Sequence, residues 1–67
     1  MKTSFAENLK WLRETAGLRQ QELAEKLSTT QRKISYWENG QYEPDIENLK
    51  KIADFFEISV DDLIGRK

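Results

Sequence analysis

Three residues, Ser28-Thr29-Thr30, separate two stretches whose apolar side chains recur at helical spacing. Leu23, Ala24 and Leu27 mark one face of the first stretch, about Gln20 to Leu27. Ile34 and Trp37 mark one face of the second, about Gln31 to Glu38. A connection this short has no length for a strand, and it forces a sharp bend between two helices. The rest of the chain has to pack around that corner.

The flanking segments supply the packing. Phe5, Leu9, Leu12 and Ala16 form a stripe on a helix over about Phe5 to Ala16. Ser4 and Glu7 have capping-box spacing at its start, and Gly17 suits its end. Thr30 is a good cap for the helix at 31–38, and Asn39-Gly40 stops it. After a loop from Gln41 to Pro44, Asp45 caps a helix over Ile46 to Phe56, with Ile46, Leu49, Ile52, Ala53 and Phe56 inward. Ser59, three residues before Asp62, caps a last short helix over Val60 to Ile64. Residues 65–67 read as a frayed end. No alternating run is long enough for a strand, so the expectation is an all-α bundle of five helices in one domain over residues 1–67.

At 67 residues with no cysteine and no histidine, neither a disulfide nor a structural zinc site is available to stiffen so small a core. Stability is left to helix packing, with or without a second copy. No cofactor, metal or small-molecule ligand is expected. No apolar run approaches the ~20 residues that span a bilayer, and the first residues lack a signal peptide's apolar stretch. The expected location is the cytoplasm. A net charge of −1 is low for a nucleic-acid binder, but it is unevenly spread. Residues 1–40 carry seven Lys/Arg against five Asp/Glu, and residues 41–67 carry four against seven.

The basic half contains the corner. At about 100° per residue, Ile34 and Trp37 fix the inward side of the helix at 31–38. Its outer side then carries Arg32, with Ser35 and Tyr36 to either side, Gln31 projecting from the first turn and Lys33 on the flank. Arginine pairs in two-pronged fashion with guanine O6 and N7, and glutamine with adenine N6 and N7. The helix face itself holds no carboxylate, and the positive end of the helix dipole near Thr30 and Gln31 favours a phosphate. A plain solvated helix face accounts for the same residues, and the tight corner favours the DNA reading over it.

Leu18-x-Gln20-x-x-Leu23-Ala24, Ile34-Ser35-x-Trp37-Glu38-x-Gly40, and then Pro44, Leu49, Ile52-Ala53 and Phe56, resemble the Cro/repressor-type helix-turn-helix domain, also called the xenobiotic-response-element type. The resemblance runs from about residue 9 to residue 63, with the helix-turn-helix at about 20–39. It implies a lambda-repressor-like five-helix fold that binds a palindromic operator as a two-fold dimer. It implies base contacts from Gln31, Arg32 and Tyr36, assisted by Ser35, and phosphate contacts from Gln20, Thr30, Lys33, Asn39 and backbone groups near Gln41. It implies that Gln20 also braces the reading helix, and that Arg13 pairs with Glu38. Two positions depart from the pattern. Arg19 stands where Ser or Thr usually caps the second helix, losing a cap while offering a phosphate contact. Ser28 stands where the turn often has Gly.

Several residues have two readings. Arg13 is a phosphate contact or one half of an ion pair with Glu38. Trp11 packs on the last helix or tail, or joins a dimer interface with Ile58, Val60, Leu63 and Ile64. Tyr42 is a packing lid or a phosphate ligand. Trp37 reads as core, and Lys50, Lys51, Asp54 and Glu57 as a solvated face. The leading function is a sequence-specific transcriptional regulator of bacterial or phage type, most simply a repressor. The alternative is a protein-interaction module such as an antitoxin, docking through its acidic second half. An enzyme is disfavoured: there is no histidine, no cysteine nucleophile and no phosphate-binding glycine loop.

Overall fold

The computed structural model describes residues 5–65. Five α-helices follow one another: α1 (Phe5–Thr15), α2 (Gln20–Lys26), α3 (Gln31–Glu38), α4 (Ile46–Phe56) and α5 (Val60–Ile64). No strand occurs among the described residues. The helix starts follow the expected chemistry. Thr30 Oγ1 accepts from the Lys33 N–H at 3.2 Å, Asp45 Oδ1 from Asn48 N–H at 2.9 Å, and Ser59 Oγ from Asp62 N–H at 3.0 Å. Arg19 has no side-chain acceptor, so α2 keeps only the reciprocal half of a cap, with Glu22 Oε1 accepting from Arg19 N–H at 2.8 Å. The Ser4 half of the expected α1 box lies outside the described residues.

Leu9, Leu23, Ile34, Ile52 and Leu63 are sealed from solvent, with Phe5, Ala24, Leu27, Trp37 and Ala53 around them. Nine of these ten come from the five helices and Leu27 caps α2, so no helix buries its apolar face without the others. Asn8 Nδ2 donates to the Leu63 carbonyl at 3.0 Å, tying α1 to the end of α5. Lys51 Nζ donates to the Leu27 carbonyl at 3.3 Å, so this lysine stitches α4 to the end of α2 instead of belonging to a purely solvated face.

Four expectations are corrected. Ala16 and Ile46 are exposed, the latter at 69%, although helical periodicity places both inward. Each sits at a helix end, where the stripe has already run past the core. Leu63 is completely buried within its own chain, so it is core and has no surface to offer a partner. Trp11 is 64% exposed, so it is not buried against the last helix, and residues 66–67 of the tail lie outside the described residues.

Candidate nucleic-acid interface

The corner between α2 and α3 depends on Ser28. Its φ of +58° is left-handed, which turns the chain out of α2. The Thr29 N–H donates to the Ala24 carbonyl at 2.9 Å and the Ser28 N–H to the Glu25 carbonyl at 3.2 Å, closing the helix end. The chain then enters α3 at Thr30. Ile34 and Trp37 go into the core, at 0% and 4% exposure, and this rotation presents the other side of α3.

On that side Gln31, Arg32 and Lys33 are exposed, while Ser35 and Tyr36 are half-buried. Nothing in the described chain covers Arg32. Tyr36 is narrower in reach than the helix spacing implied, because the Tyr42 ring meets it edge-on, with centroids 5.2 Å apart and planes at 74°. Tyr42 is thus a lid on Tyr36 that is itself 64% exposed. Asn39 is exposed and its Nδ2 donates to Ser35 Oγ at 3.4 Å. Arg19 and Gln41 are exposed, and Thr30 keeps its hydroxyl hydrogen for an outside acceptor. In the backbone beyond α3, the amides of Asn39, Gly40 and Gln41 donate to the carbonyls of Ser35, Trp37 and Tyr36, so these three are engaged within the chain.

A cleft of about 470 Å³ runs beside α3, lined by Arg32, Lys33, Tyr36 and Trp37 on one side and by Tyr42, Glu43, Pro44 and Asp45 on the other. Reading the helix in isolation missed the two carboxylates, because they arrive from the following loop. Asp45 Oδ1 is already engaged as a helix cap, accepting from the N–H and the Nδ2 of Asn48.

Beneath the surface lies a chain of hydrogen bonds. Arg13 Nε and Nη2 donate to Glu38 Oε2 and Oε1 at 2.6 and 3.0 Å, a two-pronged pair with side chains only 12% and 3% exposed. Arg13 Nη1 donates to the Leu18 carbonyl at 2.8 Å. The Glu38 hydrogen bond raises the Arg13 pKa above its ordinary value against the opposing effect of burial. Of the two readings of Arg13, the ion pair is the one formed. Gln20 Nε2 also donates to Glu38 Oε1, at 3.1 Å, and Gln20 Oε1 accepts from Gln31 Nε2 at 3.1 Å. Gln20 therefore braces the first residue of α3 against its last, while one of its two Nε2 hydrogens stays free.

Residues 9–63 match the helix-turn-helix family model. The chain belongs to the Cro/C1-type helix-turn-helix family. The HTH-type transcriptional activator BcrR of Enterococcus faecalis is 42% identical over 61 residues, covering 91% of this chain and 30% of that protein. The P22 c2 repressor, in a structure with a synthetic operator, superposes with a TM-score of 0.87 at 27% identity, over 94% of this helix-turn-helix chain and 96% of that one. The hydroxypropylphosphonic acid epoxidase of S. wedmorenis gives 0.82 at 35% identity, over 92% of this chain but 33% of the enzyme. The chain spans between 30% and 52% of the first curated relatives it matches. Those relatives bear the names of HTH-type transcriptional activators or regulators. No helix among the described residues is long and apolar enough to cross a membrane, and no group of His, Cys, Asp or Glu among them is arranged to hold a metal ion.

Proposed function

We propose that this helix-turn-helix domain binds double-stranded DNA in a sequence-specific way and regulates transcription, with α3 in the major groove. The observation that carries the reading is the exposed Gln31–Arg32 edge of α3, held outward by burial of Ile34 and Trp37. A protruding helix of this width fits a groove ~12 Å across. Gln31, Arg32, Tyr36 and Ser35 are the base-contact candidates, with Tyr36 restricted by Tyr42 to its uncovered side. Arg19, Gln20, Thr30, Lys33, Asn39 and Gln41 are the phosphate candidates.

The finer reading is a repressor acting in the cytoplasm as a two-fold dimer on a palindromic operator. The half-buried Ile58, Val60 and Ile64 and the exposed Trp11 are what remain as dimer candidates. Selection of bound duplexes from a random pool tests both levels. A defined motif is expected, with half-sites about one helical turn apart. A motif without symmetry removes the dimer and keeps the DNA reading. Binding that is weak and unselective even at low salt contradicts the DNA reading and favours a protein-docking module.

A further inference from the structure

Two aromatic rings stand beside Arg32 without serving the core. Tyr36 is half-buried on α3, and Tyr42 is 64% exposed on the loop that follows. The rings meet edge to face, with centroids 5.2 Å apart and planes at 74°. Neither belongs to the buried core or to the apolar side chains packed against it. The loop nevertheless holds Tyr42 in place from both ends. Gly40 turns the chain at φ +74°, the Gln41 N–H donates to the Tyr36 carbonyl at 3.0 Å, and Pro44 is buried. Both rings line the cleft of about 470 Å³ that Arg32 and Lys33 share.

Their neighbours on that side of α3 are polar: Gln31, Arg32, Lys33, Ser35 and Asn39. Among the groups that base pairs present in the major groove, the apolar one is the C5-methyl of thymine. 5-Methylcytosine carries the same group at the same ring position. An aromatic face is electron-rich, and the methyl hydrogens on an electron-poor pyrimidine are weakly positive, so the two attract beyond the water they displace. Tyr36 follows Arg32 by four residues, on the same side of α3 and about 6 Å further along its axis. That offset is less than two base-pair steps of ~3.4 Å. Tyr36 alone would be free to swing its ring or to send its hydroxyl to a phosphate. Tyr42 covers one side of that ring and makes a two-walled notch of it.

We propose that Tyr36 and Tyr42 together form a notch for the C5-methyl group of a pyrimidine, within two base pairs of the guanine that Arg32 meets. The inference rests on the DNA-binding reading above and adds a residue outside α3, Tyr42, to those that determine specificity. Tyr36 touches the methyl, and Tyr42 fixes the Tyr36 ring and closes the far wall. The domain then tells thymine from uracil, and methylated cytosine from unmethylated, by one carbon atom that changes no hydrogen bond.

A duplex selected from a random pool, with affinity read by fluorescence anisotropy at fixed salt, supplies the test. Each pyrimidine position is measured with and without the methyl: thymine against deoxyuridine, and 5-methylcytosine against cytosine. Arg32→Ala locates the guanine, as the position whose preference disappears. Within two base pairs of it, the methyl is expected to strengthen wild-type binding about fourfold, the factor for burying one methyl group. A gain with thymine alone or with 5-methylcytosine alone supports the notch and identifies which base supplies the group. Tyr36→Ala and Tyr42→Ala are expected to bring the methylated-to-unmethylated ratio to unity. Tyr42→Phe keeps the ring without the hydroxyl and is expected to retain the ratio. If Tyr42 only held a phosphate, Tyr42→Ala would weaken all duplexes alike and leave the ratio alone. The proposal is overturned by that result, or if no methyl within two base pairs of the guanine changes wild-type affinity. If Tyr36→Ala does not fold by circular dichroism, Tyr42→Ala, at an exposed position, decides. If the wild-type chain selects no sequence at all, the DNA-binding reading itself has failed.

Discussion

Arg13 and Glu38 place two charges where only 12% and 3% of their side chains meet water. Desolvating either one alone is expensive, and the cost is offset only while the other is present with its hydrogen bonds made. Arg13→Met is therefore expected to cost ~3–5 kcal/mol, which is a large share of the stability of a domain this small. Urea unfolding followed by circular dichroism measures it, and a loss below ~1 kcal/mol would mean the pair is more hydrated than its geometry indicates. The pairing followed from the family resemblance, because spacing alone left a helix-one arginine free to meet a phosphate. The polarity of the Gln20 and Gln31 amides was not legible, since an amide's orientation depends on three-dimensional partners. Tyr36 shows the same limit: its place on the outer face of α3 follows from helical periodicity, but its Tyr42 lid comes from a loop whose path the sequence does not specify.

The helices end more uniformly than they begin. After every one of the five, a residue takes a left-handed conformation: Gly17, Ser28, Gly40, Glu57 and Gly65. At four of these ends the next amide reaches back across the last turn to close it: Leu18 to Arg13, Thr29 to Ala24, Gln41 to Tyr36 and Ile58 to Ala53. Gly17 and Gly40 are legible as stops and Ser28 as a departure from glycine, whereas Gly65 reads as part of a frayed end and is instead the left-handed cap of α5. Glu57 was assigned to a solvated face, because nothing about a glutamate announces φ +58°. A side chain in that region costs ~1–2 kcal/mol, partly returned through lower entropy of the unfolded chain. Glu57→Gly and Ser28→Gly are each expected to stabilise the domain by ~0.5–1 kcal/mol, raising Tm by about 2–8 °C. Gly40→Ala is expected to do the reverse, through φ alone, as an added Cβ would meet nothing within 4 Å. A fall in Tm for both glycine variants would contradict this account of the helix ends. The apolar stripes were right in the middle of each helix and wrong at Ala16 and Ile46, because periodicity gives a direction around a helix but not how far along it the core extends.

The domain measures 29 × 24 × 22 Å, which exceeds the ~10 Å over which charges are felt at 0.1 M salt. The acidic charge of residues 41–67 therefore acts mainly where it lies close to α3, at Glu43 in the cleft with Arg32 and Lys33. Glu43→Gln is expected to strengthen binding to all duplexes by a few-fold at low salt, and less as salt rises. An unchanged affinity would place Glu43 away from the phosphates. If Arg32 reads a base while Lys33 holds the backbone, sequence preference separates Arg32→Ala from Lys33→Ala. Arg32→Ala should lose ~1–3 kcal/mol of discrimination at a single base pair. Lys33→Ala should weaken all sequences alike and make the logarithmic salt slope shallower by about one. If Arg32→Ala keeps the wild-type preference at every position, Arg32 reads no base and the docking of α3 through its Gln31–Arg32 edge is contradicted.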